Sequence, residues 1–193
     1  MGEHFFAYMA RMKYIQRWGL MRNTHQEDIA EHSLQVAMLA HALAVIKNKF
    51  YNGNLQVERV LILALYHEAS EVITGDLPTP IKYFNPEIKQ AYKRIEQVAS
   101  EKLLELLPEE LKPDYTSFLI PIQADQEAYR IVKLADKLAA YLKCLEERRA
   151  GNHEFEMAEH TLWEALQAEE AAELKYFLAH FIESFSLTID ELN

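Results

Sequence analysis

Apolar residues recur along most of this chain at the three- and four-residue spacing of an α-helix, and no stretch reads convincingly as a strand. Residues 4–16 carry Phe5, Met9, Met12 and Ile15 at that spacing, with Arg11 and Lys13 between them. Arg17-Trp18-Gly19 breaks the pattern, and the polar residues 22–28 form a loop. Residues 29–49 are apolar on nearly all sides (Leu34, Val36, Met38, Leu39, Leu43, Val45, Ile46), the pattern of a helix at the centre of a bundle. Asn52-Gly53-Asn54 is a turn. A second near-continuous apolar helix covers 57–73 and is ended by Gly75 and the Pro78/Pro80 pair. Asn85 followed by Pro86 has the form of an N-cap with proline at the first helical position, opening a helix over 87–107. Pro108, Pro113 and Pro121 punctuate a less regular stretch with room for a short helix. Asp125 is the expected cap of a long helix to about residue 150, stopped at Gly151, and Asn152 the expected cap of a last long helix to about 185. No internal repeat or long linker divides the chain. The expected fold is an all-α helical bundle, one domain over residues 1–193.

Composition narrows the function classes. The 193 residues are about one domain's worth, and 50% of them are hydrophobic, which excludes a disordered chain. Twenty Lys and Arg face 30 Asp and Glu, a net charge of −10. That excess repels polyphosphate, so a nucleic-acid polymer or an anionic membrane is not the expected partner. A small phosphorylated ligand stays open, because one buried metal or Arg reverses the sign locally. Cys144 stands alone and cannot form an intramolecular disulfide. No run of about 18 uninterrupted apolar residues occurs, and residues 1–14 lack the apolar core of a signal peptide. The chain is expected to be cytoplasmic.

Candidate chemistry lies where ionisable residues interrupt the most apolar helices. The run Val60-Leu-Ile-Leu-Ala-Leu-Tyr66 leads directly into His67-Glu68-Ala69-Ser70-Glu71. A buried His with two acids must be paired, neutralised or given a metal. Glu71 lies four residues after His67 and three after Glu68, so the three are expected to project towards one side of the helix. His32 precedes the apolar run of the other central helix, and Asp136 sits in Val132-Lys-Leu-Ala-Asp136-Lys-Leu. Two imidazoles and two carboxylates from three helices form a mixed N/O donor set suited to a first-row divalent ion with open positions.

Each feature has a plainer reading. A lone buried His is usually a hydrogen-bonded core residue, and Asp136 between Lys133 and Lys137 has the form of a surface ion pair. His67-Glu68 is half of a zincin motif, but Glu71 stands where its second His would be. His41 reads as a core or supporting group, and His4, His25, His153, His160 and His180 lack ligand companions. The acids of 164–173 read as a solvated helix face, and Tyr176, Phe177, Phe181 and Phe185 as core or dimer contact. Order and spacing together, not any one residue, carry the metal reading.

Taken in that order, His32, His67-Glu68 and Asp136 resemble the H…HD…D motif of the HD-domain phosphohydrolase superfamily. The segments His4-Phe-Phe-Ala, Arg17-Trp18, Leu20-Met-Arg-Asn, Glu31-His-Ser-Leu-Gln-Val-Ala-Met, Gly75-Asp-Leu-Pro-Thr-Pro and Ala140-Tyr-Leu-Lys-Cys-Leu-Glu-Glu are similar to the bacterial 5′-deoxynucleotidase group. The resemblance spans almost the whole chain. It implies an HD-type bundle that hydrolyses deoxyribonucleoside 5′-monophosphates to nucleoside and phosphate, with a divalent cation such as cobalt or manganese, in a homodimer. The implied metal ligands are His32, His67, Glu68 and Asp136. Arg17, Trp18, Asp76, Leu77, Pro78 and Thr79 are the implied substrate contacts, with His32, Glu68 and Asp136 counted among them. Glu71, beside the reacting phosphate, and Trp18 are the implied catalytic residues.

The chain departs from the family at one ligand, because its second motif reads His-Glu where the family has His-Asp. The side chains otherwise suit the implied chemistry. Arg17 offers a planar fork to phosphate oxygens, Trp18 an orienting wall, and Asp76 an acceptor for a sugar hydroxyl. Glu71 can accept a proton from water or supply one to the leaving oxygen. The competing expectation is a non-catalytic nucleotide-binding or regulatory protein whose chemistry the His-Glu change has blunted. A nucleoside polyphosphate substrate ranks lower, since short loops and net acidity leave little basic surface for extra phosphates.

Overall fold

A computed structural model describes residues 2–82 and 84–193; the side chain of Thr79 lies outside that description. Ten helices follow one another among these residues: α1 (Phe5–Met9), α2 (Ile29–Phe50), α3 (Val57–Tyr66), α4 (Glu71–Thr74), α5 (Thr79–Lys82), α6 (Pro86–Glu105), α7 (Lys112–Leu119), α8 (Gln126–Arg149), α9 (Glu156–Gln167) and α10 (Ala172–Phe181). No strand occurs among them, and one isolated bridge joins Gln16 to Asp28. The all-α expectation holds.

The helix starts follow local chemistry. Asp28 accepts from the backbone N–H groups of Ala30 and Glu31 and so opens α2. Asn85 does the same for Ile88 at 2.7 Å, with Pro86 at the first helical position of α6. Gly75 and Gly151 adopt positive φ (72° and 85°) just past helix ends, where a side chain would be strained.

Central α2 packs on α3, α8 and α10, and the core is built from Val36, Leu39 and Leu43 of α2, Leu63 of α3, Ile131 and Leu138 of α8 and Leu174 of α10. A smaller cluster gathers Phe5, Ala69, Leu103, Leu107 and Leu119 at the end that carries the His67-Glu68 segment. By length and composition α2 is apolar enough to cross a membrane, because a few scattered polar residues interrupt its apolar run without lowering its average. Here it is the bundle's middle helix, with His32 and Ser33 buried in it.

Six sequence expectations change. The helix over 4–16 ends at Met9, because Gln16 and Arg17 leave to pair with 27–28. The helix over 57–73 breaks after Tyr66, and the helix over 152–185 breaks into α9 and α10 at Ala168–Ala171. Asp125 makes no capping hydrogen bond; its carboxylate is taken by Arg59. Among the residues set aside, His41 is exposed rather than core. Glu173 is buried and paired with Arg130 at 3.0 Å, not part of a solvated face.

Candidate metal centre and active site

His67 ends α3 in a way the sequence pattern did not predict. Its Nδ1 lies 2.7 Å from the Ala64 carbonyl oxygen, which a continuous helix would use for backbone pairing. Backbone bonds past that point tighten to three-residue closure: Ala69 N–H to Tyr66 at 3.0 Å and Glu71 N–H to Glu68 at 2.9 Å. Glu71 therefore sits on its own short helix, α4, and not one turn along the same face as His67.

With Nδ1 donating to Ala64, the His67 Nε2 keeps its lone pair, the tautomer a metal ligand needs. That Nε2 is buried and has no hydrogen-bond partner among the described residues; the same is true of Glu68 Oε2. Around it lie His32 Nε2, Glu68 Oε1 and Asp136 Oδ1, contributed by α2, the break after α3, and α8. His32 Nε2 is 3.1 Å from Asp136 Oδ1 and 3.8 Å from Glu68 Oε1; His67 Nε2 is 3.8 Å from Glu68 Oε1 and 3.9 Å from Asp136 Oδ1. Ligand atoms from all four residues fall within 4.8 Å of one another. Two imidazole nitrogens and two carboxylates converging on one buried point, with an orphaned lone pair among them, fit a divalent cation.

The electrostatics agree. Burial disfavours the His32 imidazolium, but hydrogen bonding to Asp136 and the facing carboxylates of Glu27 and Glu68 outweigh it and raise its pKa to about 9. Burial likewise opposes ionisation of Asp136, yet the His32 hydrogen bond and the Lys133 charge hold it well below the usual carboxylate range. A proton on His32 thus satisfies the same negative charge that a cation would. The surface-pair reading of Asp136 is half right: Lys133 reaches its Oδ2 at 3.4 Å, while Lys137 turns to Glu169.

Arg17 lies beside this cluster, its Nη1 donating to Glu68 Oε1 at 2.7 Å and its Nε to Glu27 Oε2 at 3.0 Å. Burial disfavours its charge, but Glu68 and Glu27 outweigh that and keep it a cation. Trp18 follows with φ of 58°, a left-handed conformation rare for a bulky residue. Its indole donates to Glu27 Oε2 at 2.9 Å, and its ring packs on Phe155 with centroids 5.4 Å apart. The next residues are clamped by the buried pair Lys143 and Glu147 of α8. Glu147 accepts from Thr24 N–H, Thr24 Oγ1 and His25 N–H, and Lys143 donates to the His25 carbonyl. Sequence reasoning missed Glu27, Lys143 and Glu147, because charged residues in a polar loop and on a long helix give no periodic signal.

Glu71 is buried, with Oε2 unpartnered among the described residues. Burial first, then the charges of Glu68 and Asp76, push its pKa up to about 9. Asp76 is raised too, chiefly by burial, with Arg17 opposing. The loop that holds Asp76, Leu77 and Pro78 is half-buried, and its first carbonyl, Gly75, accepts from Tyr92 Oη at 3.3 Å and Thr74 Oγ1 at 3.0 Å. The expectation for Thr79 falls on a side chain outside the described ones.

A sequence model described as 5′-deoxynucleotidase YfbR-like matches residues 4–185. The chain belongs to the YfbR-like 5′-deoxynucleotidase family. A 5′-deoxynucleotidase of Vibrio cholerae serotype O1 is 58% identical over 191 residues, covering 99% of this chain and 98% of that protein. One from Pectobacterium atrosepticum is 55% identical over 191 residues, covering 99% and 96%. The fold is that of an HD-domain phosphohydrolase from Listeria innocua, with TM-score 0.82, 22% identity and coverage of 96% and 90%. A cyanophage S-2L HD phosphohydrolase, solved with dA and one catalytic Zn²⁺, shares it at TM-score 0.66 and 23% identity, with coverage of 92% and 96%. Membership places this chain among the 5′-deoxynucleotidases, and its donor cluster has the composition to hold a divalent cation.

Proposed function

We infer that this protein hydrolyses deoxyribonucleoside 5′-monophosphates to deoxynucleoside and phosphate. The observation that carries the reading is the convergence of His32, His67, Glu68 and Asp136 beside Arg17 in a chain 58% identical to a named 5′-deoxynucleotidase. Those four residues would hold a divalent cation, manganese and cobalt being the sequence's first candidates. A cation held there supplies Lewis acidity and offsets phosphate charge during displacement.

The chain's own groups do the rest. Arg17 presents a guanidinium to the phosphate, and Trp18 walls the same side, so the pair orients the group for in-line attack. Glu71, buried and pushed up to about 9 by burial and by the charges of Glu68 and Asp76, is assigned as the proton donor to the departing O5′. Asp76 is assigned to accept from a sugar hydroxyl, and the half-buried loop with Leu77 and Pro78 to favour a 2′-hydrogen over a hydroxyl. The non-catalytic alternative loses ground, because Glu68 reaches the ligand cluster with the longer side chain.

A panel of ribo- and deoxyribonucleoside monophosphates with and without chelator tests this reading. Chelation should abolish phosphate release and added Mn²⁺ or Co²⁺ restore it, with kcat/KM higher for dAMP than AMP and little discrimination among bases. Full activity in metal-free protein, or equal efficiency on AMP and dAMP, would overturn it.

The protein is also proposed to act as a homodimer in the cytoplasm. Phe177 of the C-terminal aromatic stripe is core, but Phe181 and Phe185 are 44% and 43% exposed and continue into exposed Leu187, Ile189 and Leu192. Exposed apolar surface of that kind marks an association face, and two-fold pairing is the commonest assembly. Light scattering at micromolar concentration should report twice the 22.5 kDa chain mass; the monomer mass would refute it.

A further inference from the structure

We propose that Glu27 is a positioning residue that ties the metal ligand His32 to the phosphate-contact pair Arg17 and Trp18. The proposal rests on the nucleotidase reading for its substrate, though not for its metal.

Glu27 lies in the irregular stretch before α2 and is buried, at 4% exposure. Its backbone is pinned from both sides. The Glu27 carbonyl accepts from Arg17 N–H at 2.9 Å, and Ile29 N–H donates to the Ile15 carbonyl at 3.0 Å, so residues 15–17 and 27–29 run against each other. Its side chain then spends both oxygens on the site. Oε2 accepts from Arg17 Nε at 3.0 Å and from the Trp18 indole at 2.9 Å. Oε1 faces His32 Nδ1 at 3.5 Å, and that nitrogen has no hydrogen-bond partner among the described residues.

The arrangement assigns three tasks to one carboxylate. It sets the ring of His32 so that Nε2, not Nδ1, points at the donor cluster; carboxylates behind ligating imidazoles commonly serve this purpose. It holds Arg17 by Nε, which leaves the Nη1 side of the fork directed at Glu68 and the space where phosphate would sit. It also anchors Trp18 in a backbone conformation that such a residue does not adopt unaided. No other described side chain accepts from both Arg17 and Trp18. A carboxylate kept only to neutralise Arg17 would not need to face His32 or take the indole.

Glu27→Gln keeps the shape while removing the charge and one of two acceptor oxygens. Second contacts behind ligating His residues typically cost about 10–100-fold in metal affinity or activity when removed. We expect a loss in that range for Mn²⁺ affinity, measured by competition with a chelator, together with a raised KM for dAMP. In a Trp163→Phe background the remaining indole, Trp18, should also show a shifted emission maximum. A folded Glu27→Gln protein, by circular dichroism and melting, with Mn²⁺ affinity and KM both within twofold of the parent would overturn the proposal. If Glu27→Gln does not fold, Glu27→Asp retains the charge but withdraws it by one methylene. It should then lose Mn²⁺ affinity at least threefold, and parental affinity would overturn the proposal equally. A parent that binds Mn²⁺ but releases no phosphate would sink the nucleotidase reading, while the Mn²⁺ titration would still judge Glu27.

Discussion

Glu71→Gln is expected to lower kcat for dAMP by about 10²–10⁴-fold, the range for removing a positioned general acid or base, while leaving Mn²⁺ affinity near that of the parent. The reason is geometric and electrostatic together: Glu71 is buried beside the donor cluster but on α4, outside the set of four ligands. Its raised pKa favours a role at the leaving oxygen, and an activated substrate checks that assignment. On an aryl phosphate, whose leaving group needs no proton, the defect should shrink by at least tenfold. An equal defect on both substrates would make Glu71 a base. A pH consequence follows for chelated protein. Between the ordinary carboxyl pKa of 4.5 and about 9, native Glu71 keeps a proton that the unfolded chain has lost, so stability falls as pH rises through that window. The fall should be flatter in Glu71→Gln, read from urea midpoints at pH 5.5 and 8.5; parallel curves would refute the raised pKa.

His67→Ala should weaken Mn²⁺ binding more than Glu68→Ala does, and the difference should be large enough to abolish activity at micromolar metal. His67 offers an Nε2 with no competing protein partner among the described residues. Glu68 shares Oε1 with Arg17 at 2.7 Å, so part of its charge is already committed. Glu is one methylene longer than the Asp of the family's His-Asp motif, and carboxylate–cation distances of about 2.0–2.2 Å tolerate little slack. Here Glu68 Oε1 meets Arg17 at 2.7 Å, and the backbone after Tyr66 closes in three-residue turns. Three ligands still suffice for an open site, so Glu68→Ala should bind weakly rather than not at all. Glu68→Asp should retain metal in a pocket shaped for the longer chain. Titrations of all three variants decide it: Glu68→Ala binding as tightly as the parent would show that Glu68 is no ligand.

The four donors were legible in the sequence because each is an ionisable residue that interrupts or abuts an apolar run otherwise committed to the core. Such a residue must have a partner, and the order H, H-E, D named it. Glu27 was not legible. It stands in the polar stretch of residues 22–28, where a charged residue ordinarily faces water, and only the pairing of 15–17 with 27–29 turns it inward. The break after Tyr66 was hidden for a related reason. Local pattern continues through residue 73, but the His67 side chain competes for the Ala64 carbonyl, a contact that periodicity does not encode.

Local signals by themselves determined where helices begin and end when a cap, a proline or a positive-φ glycine marks the place: Asp28, Asn85-Pro86, Gly75 and Gly151. They also determined the all-α class, since one apolar face per turn leaves no other way to bury it. Tertiary structure decided the rest. It fixed which acid serves which partner, giving Asp125 to Arg59, Glu173 to Arg130 and Glu27 to Arg17, Trp18 and His32. Charge pairing depends on distances between chain segments far apart in sequence, and those distances exist only once the helices have packed.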